Sequence, residues 1–291
     1  MISTSCLFAQ NAGDAGFSFL KIGFGARNIA LSDFGIVGTY DVSSVNYNPA
    51  LISNARSGQL LLGHNSWIGD LSTEVFGASF EMFSLPFALT LNTTSITDIE
   101  VRTRPGDVES KFDASYFFTG VSTGFKLYDN IFFGVTAKYL YESLFSDESD
   151  GFGFDLGLHA VNVVDNLNLG FSVRNLGSVD ELRNEKTELP VDVRLGASYN
   201  IPIETIESDL LLISGFQKYT ALDNSHIHVA SELVFRKFVS LRLGYVTGYD
   251  TRDISAGLGL YWQKFNFDYA FTNFSYNLGS AHTISIMYSF N

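Results

Sequence analysis

One stretch of the chain matches the motif of a hydrolase nucleophile. The run GVSTG, residues 120–124, fits the pattern G-x-S-x-G. That motif works only where a strand turns sharply into a helix and where an acid and a histidine complete the site. Ser122 instead falls in the middle of a predicted strand, and no spacing singles out His159 or His282 as its partner. The sequence therefore predicts no catalytic residue and a protein that is not an enzyme.

Three further stretches have residue types that bind metals or phosphate. HIH, residues 226–228, puts two imidazoles on one strand face that Glu232 can share. This geometry could ligate a metal, but the lack of a fixed third ligand favours a hydrated loop edge. Residues 22–28, IGFGARN, lack the last glycine and the preceding strand of a phosphate-binding loop. The acidic run 146–150 is typical of a solvated outer loop, with calcium or lipopolysaccharide bridging as the alternative. The sequence thus predicts no cofactor and no metal.

Composition excludes several classes of protein. The net charge of −13 argues against nucleic-acid binding, because phosphates would be repelled. No apolar run approaches the roughly 20 residues of a membrane-spanning helix. The single cysteine, Cys6, excludes a disulfide framework and a thiolate zinc site. Phe and Tyr number 27 and 14 in a chain of 291 residues, which favours an all-β class.

The first residues are typical of an export signal. The run MISTSCLFAQ is similar to the end of a secretory signal peptide, although its basic start and full apolar core are missing. We interpret residues 1–10 as a residual signal peptide. The chain is then exported through the periplasm.

Alternation of apolar and polar residues is the main signal from residue 59 onward. In NLNLGFSVRN, residues 166–175, leucine, phenylalanine and valine take one face, and asparagine, glycine, serine and arginine take the other. The same period recurs in about 14 segments of roughly ten residues, the length of a barrel strand. Short and long connections alternate between these segments, as in bacterial outer-membrane barrels. The predicted strands lie near 59–67, 71–81, 84–94, 112–126, 131–143, 151–161, 166–176, 190–200, 208–217, 226–235, 238–247, 252–262, 265–273 and 281–290.

Charged residues on the polar faces decide which face points inward. In the dry core of a soluble β-sandwich, the fold-level alternative, so many ions would each cost several kcal/mol unless paired. A hydrated lumen lowers that cost. The sequence therefore predicts a 14-stranded antiparallel transmembrane β-barrel over residues 59–291, in the bacterial outer membrane and in contact with its lipid. The charged residues predicted to face the lumen are Lys138, Glu142, Asp155, Arg174, Asp192, Arg194, Arg242, Asp253 and Asp268, with His159 beside them.

Residues 11–58 do not alternate. They are rich in glycine, mildly apolar and too short for a separate domain. We expect them to form an N-terminal hatch or plug against or inside the barrel.

Several motifs in order resemble the PorV/PorQ family of outer-membrane proteins. They are FLKIGFGARNIAL, NYNPAL, HNSWIGDLS, SDGFGFDLGLHA, VRNLG, LPVDVRLGASY and NLGSAHTISIMYSF. The resemblance implies a 14-stranded barrel related to the fatty acid transporter FadL, and a part in type IX secretion. The implied protein partners are the secretion translocon and the C-terminal sorting domains of its cargo.

The same resemblance selects the hatch residues. Asn48, Pro49 and Ala50 match the Asn-Pro-Ala motif of the FadL hatch, and Arg27 lies in the matching GARN run. These residues are candidates for anchoring the hatch or for gating a ligand. The alternative function is a FadL-like transporter of hydrophobic compounds, although the charged lumen disfavours an apolar tunnel. A structural barrel without a substrate is the third alternative.

Overall fold

The computed structural model describes residues 17–55, 58–182, 187–221 and 225–290. The predicted signal peptide, residues 1–10, lies outside these ranges. Within them the chain forms one closed antiparallel barrel of fourteen strands, in which each strand pairs with its neighbours in sequence and β1 pairs with β14. The strands are β1 Gln59–Ser66, β2 Leu71–Met82, β3 Leu85–Val101, β4 Ser110–Tyr128, β5 Ile131–Leu144, β6 Asp147–Val164, β7 Leu167–Val179, β8 Asp192–Ile203, β9 Ser208–Tyr219, β10 Ser225–Phe235, β11 Val239–Val246, β12 Arg252–Trp262, β13 Phe265–Phe274 and β14 Ser280–Ser289.

Helices are few and short in the described ranges. The α-helix α1 covers Ala26–Ala30, and four 3₁₀-helices cover Ser18–Lys21, Ser44–Asn46, Pro49–Asn54 and Glu204–Ile206. None of these described helices is long and apolar enough to cross a membrane.

The strand faces confirm the predicted orientation. On β7, Leu169 and Phe171 are 38% and 37% exposed on the outer wall, whereas Ser172 and Arg174 are buried on the inner face. Leucine, isoleucine and phenylalanine are exposed in the same way around the whole wall. A closed barrel with an apolar exterior and a polar interior is suited to lipid, not water. The chain is therefore an integral outer-membrane barrel, and the soluble sandwich is excluded.

Two hairpins extend farther than the sequence predicts. Strands β3 and β4 pair as far as Val101 and Ser110, beyond the predicted ends of both strands. Strands β5 and β6 pair as far as Leu144 and Asp147, so the prediction of a loop at 146–150 is wrong. Pairing continues past the alternating region because backbone hydrogen bonds between strands do not require apolar side chains.

The N-terminal segment, which we define as residues 17–55, packs against the inner face of the barrel. Helix α1 contacts β11 to β14, and the helix Pro49–Asn54 contacts β3 to β6. Glycines in the wall allow close approach, because a Cβ at Gly134 would collide with the Pro49 backbone. The segment begins among residues of the long-loop half, where Phe19 stacks on Tyr116. It leads into β1 at the short-turn end.

The glycine contact gives a direct test of this packing. We expect Gly134→Ala to destabilise the protein by about 1–3 kcal/mol, because its Cβ must displace the Pro49 backbone. The matched control is Gly153→Ala, also on the inner face, where the nearest atom lies at 3.4 Å, an ordinary contact. Unfolding in detergent measures both variants. Equal losses of stability would contradict the proposed close packing.

Candidate functional site in the barrel interior

Most of the predicted lumen-facing residues lie on the inner face. Eight of them are buried: Lys138, Glu142, Asp155, Arg174, Asp192, Arg194, Arg242 and Asp268. Asp253 is the exception, because it is exposed at the start of β12. A register shift between Arg252 and Ser255 interrupts the alternation there. Arg252 takes the interior position instead, and its Nη2 lies 3.3 Å from Asp33 Oδ2.

The first cluster of buried charges joins the N-terminal segment to strands β10, β11 and β13. We call it the Arg27 cluster: Arg27, Asp41, Glu232, Arg242 and Asp268. Arg27 donates to both carboxylate oxygens of Glu232, at 3.2 and 2.6 Å, and to Asp41 at 3.2 Å. Arg242 donates to Glu232 at 2.6 Å and to Asp268 at 2.7 Å. Glu232 thus holds one arginine from the segment and one from the wall.

The second cluster lies on β5 to β8. We call it the Asp192 cluster: Lys138, Asp155, Arg174, Asp192 and Arg194. Asp192 accepts from Arg174 at 2.9 Å and from Arg194 at 2.8 Å, and Lys138 lies 2.6 Å from Asp155. The two arginines also reach the N-terminal segment. Arg174 donates to the Asn46 carbonyl at 2.5 Å, and Arg194 donates to the Asp33 carbonyl at 3.1 Å.

Tyr47 of the N-terminal segment fills the space between these two arginines. Their guanidinium carbons lie 5.7 and 5.5 Å from its ring centre, within the range of a cation–π contact. Its hydroxyl donates to Asp33 at 2.7 Å and accepts from the Phe24 amide at 2.8 Å. Burial and the neighbouring Asp33 carboxylate raise the pKa of Tyr47 well above its usual value. The phenol therefore stays neutral and remains a donor.

The Asn48-Pro49-Ala50 motif has the geometry of an anchor. Asn48 caps the helix Pro49–Asn54 by accepting from the Ala50 amide at 3.1 Å. Its amide nitrogen donates to the carbonyls of Ile36 and Leu158, both at 3.0 Å. The side chain therefore ties two parts of the N-terminal segment to β6. Buried carbonyls that lose such a donor each cost about 1–3 kcal/mol.

The histidines of HIH are buried, so the predicted hydrated loop edge is wrong. His228 stacks on Phe34 and lies 2.9 Å from the Ser32 carbonyl, and His226 stacks on Tyr249. In the described part of the chain no group of three or more His, Cys, Asp or Glu residues could hold a metal ion. Ser122 lies 2.8 Å from the Thr136 hydroxyl, in a strand and not at an elbow.

Sequence reasoning missed several interior partners. Alternation along β10 predicted that Glu232 shares a face with His226 and His228, but that face was assigned to a hydrated loop edge and not to the interior. Arg252 was hidden by the irregularity of β12. Asp33 and Asp41 lie in the N-terminal segment, where no period indicates which side chains face the wall.

The interior is aromatic toward the long loops and polar toward the short turns. In the long-loop half, Phe19 and Phe24 of the segment pack near Tyr116 and Phe118 of β4, with ring centres 5.2 to 6.3 Å apart. At the short-turn end two polar cavities of about 540 and 560 Å³ flank Arg27, Tyr40 and Asn54. Asparagines line the first cavity: Asn54, Asn162, Asn166, Asn168 and Asn200.

Comparison with solved structures identifies the kind of barrel. The toluene transporter TodX of Pseudomonas putida is similar over 92% of this chain and 98% of its own, with a TM-score of 0.65 and 13% identity. A FadL homologue of Pseudomonas aeruginosa is similar over 93% of this chain and 100% of its own, with a TM-score of 0.53 and 11% identity. At this level of identity the likeness shows the fold alone, which is that of the FadL-type outer-membrane barrels. No protein-family model and no curated protein sequence matches the chain.

The Arg27 cluster gives a test of how the segment is held. We expect Glu232→Gln to destabilise the protein by about 3–5 kcal/mol, because both Arg27 and Arg242 lose a buried partner. Unfolding in detergent measures the loss. The control is Glu207→Gln, which breaks an exposed pair with Arg236 at 3.4 Å and should change stability little. A similar small effect for Glu232→Gln would show that the cluster does not hold the segment.

Proposed function

We propose that the protein carries hydrophobic compounds across the bacterial outer membrane. The observation that carries this proposal is the aromatic lining of the long-loop half, which the N-terminal segment and the wall build together from Phe19, Phe24, Tyr116 and Phe118. Such a surface recognises an apolar molecule, since small-molecule sites are mostly apolar and aromatic. The likeness to a toluene transporter supports the same reading.

In this proposal the N-terminal segment is the hatch. It contacts the wall on most sides, so an apolar molecule passes only when part of the segment shifts. The contacts that resist the shift are the Asn48 bonds and the Arg27 cluster. The polar cavities at the short-turn end provide space into which residues near Tyr40 and Asn54 can move.

The charged lumen does not contradict an apolar cargo. Most of the buried charges are paired with one another, and Lys138 of one pair lies 5.6 Å from the ring centre of Phe118. Paired ions expose less charge to a passing molecule than free ones. The aromatic surface therefore supplies the affinity, and the charges hold the hatch in position.

Uptake of labelled toluene tests the proposal in a Gram-negative host that lacks its own transporter. We expect expression of the chain to raise uptake, and Phe118→Lys to remove at least nine-tenths of the gain, because a cation then enters the aromatic surface. Phe19→Lys repeats the test from the segment side. The control is Tyr276→Ser, an exposed residue between β13 and β14. Unchanged uptake in both lysine variants, with folded barrels confirmed by electrophoretic mobility, would contradict the proposal.

A part in type IX secretion is the second candidate. It rests on motifs such as HNSWIGDLS and LPVDVRLGASY, which resemble the PorV/PorQ family. Its protein partners would be the translocon and the sorting domains of exported proteins. The outer loops and the rim would bind them.

Mild extraction from native outer membranes separates the two candidates. We expect mass spectrometry of the purified protein to find an apolar small molecule and no stoichiometric protein. Recovery of exported proteins that share a C-terminal domain, or of a large translocon subunit, would replace transport by secretion. Both kinds of molecule are measured in the same sample, so a positive result for one serves as the control for the other.

A further inference from the structure

A small cavity lies where the N-terminal segment meets the Asp192 cluster. Its volume is about 20 Å³, above the roughly 10–15 Å³ that a single water molecule requires. The polar side chains that line it are Lys21, Asp33 and Asn46 of the segment and Lys138, Arg174 and Arg194 of the wall. The remaining lining is apolar or aromatic. The cavity therefore has room for one monatomic ion or one water molecule.

Cations outnumber carboxylates around this cavity. Lys21, Lys138, Arg174 and Arg194 line it, and Arg252 lies behind Asp33, which gives five cations. Three carboxylates pair with them: Asp33, Asp155 and Asp192. If Glu142, the next buried carboxylate along β5, is counted as well, four carboxylates face five cations. The cation that has no carboxylate partner among the described residues is Lys21, which is half-buried beside the cavity, so a further negative charge there is favourable.

This excess is local to the surroundings of the cavity. In the Arg27 cluster, two arginines face the three carboxylates of Asp41, Glu232 and Asp268. The positive excess is therefore confined to the half of the interior that contains the cavity.

Asn46 supplies a second, independent observation. Its side chain is 5% exposed and lines the cavity, and its amide nitrogen has no hydrogen-bond partner in the part of the chain that the structure describes. The carboxylate oxygens of Asp33 and Asp192 are occupied, since Asp33 accepts from Tyr47 and Arg252, and Asp192 accepts from Arg174, Arg194 and Gln217. A free donor amid excess positive charge calls for an acceptor with negative charge. Water would satisfy the amide but not the charge.

We propose that this cavity binds one small monovalent anion of the size of chloride, and that the anion fastens the N-terminal segment to β5, β7 and β8. Asn46 donates to the anion, and Lys21, Lys138, Arg174 and Arg194 neutralise it. The site belongs to the resting barrel and does not depend on which molecule the protein transports.

Bromide diffraction and a chloride titration test the proposal on the purified protein in detergent. We expect crystals soaked in sodium bromide to show one anomalous peak within hydrogen-bond distance of Asn46 Nδ2. In solution, the melting temperature should rise by about 3–5 °C per tenfold increase in chloride once the site begins to fill. Gluconate at equal ionic strength should have no such effect.

A charge-supplying variant sharpens the test. Asn46→Asp places a fixed negative charge at the cavity, so we expect its stability to become independent of chloride. The matched control is Asn65→Asp on β1, where Asn65 is 2% exposed and its amide nitrogen is likewise unpartnered among the described residues. This control should keep the chloride dependence of the parent protein. No bromide peak together with equal melting temperatures in chloride and gluconate would overturn the proposal, as would an undiminished chloride dependence in Asn46→Asp.

Discussion

A closed sheet of fourteen strands encloses more space than its own inward side chains can fill, and this constraint governs the rest of the molecule. Eight strands make a barrel that side chains alone can fill, whereas larger barrels need an insert or leave a channel. Here residues 17–55 supply the insert, and the wall accommodates it with glycine at positions such as Gly134 and Gly157. The interior is therefore a packed interface between a segment and a wall.

Buried ion pairs hold this interface together with an apolar cluster that the segment and the wall share. Arg27 reaches Glu232, and Arg174 and Arg194 reach the backbone of the segment. These bonds have fixed directions, so they set the position of the segment more sharply than apolar packing does. The ion pairs therefore fix where the segment lies, and the apolar cluster fills the space around them.

The alternation of β7 was sufficient to predict the strand and the inward direction of Arg174, which the structure pairs with Asp192 of β8. The same reasoning failed at Asp253. The pairing register of β12 shifts between Arg252 and Ser255, so Arg252 faces inward in place of Asp253, and strict alternation cannot predict such a shift. It also failed for HIH, because the segment that buries His228 lies far from it in the sequence and alternation along β10 does not indicate that contact. The contacts of Asp33 and Asp41 lay beyond prediction for a related reason. They are set by the three-dimensional path of a segment without periodicity.

The course of the N-terminal segment determines the order in which this molecule can assemble. The segment runs from the aromatic half of the interior to the start of β1, and the β1–β14 pairing joins the first strand to the last. The cylinder cannot close before β14 is available, and the segment precedes β1 in the chain. Closing the β1–β14 seam therefore completes the wall and encloses the segment in the same step.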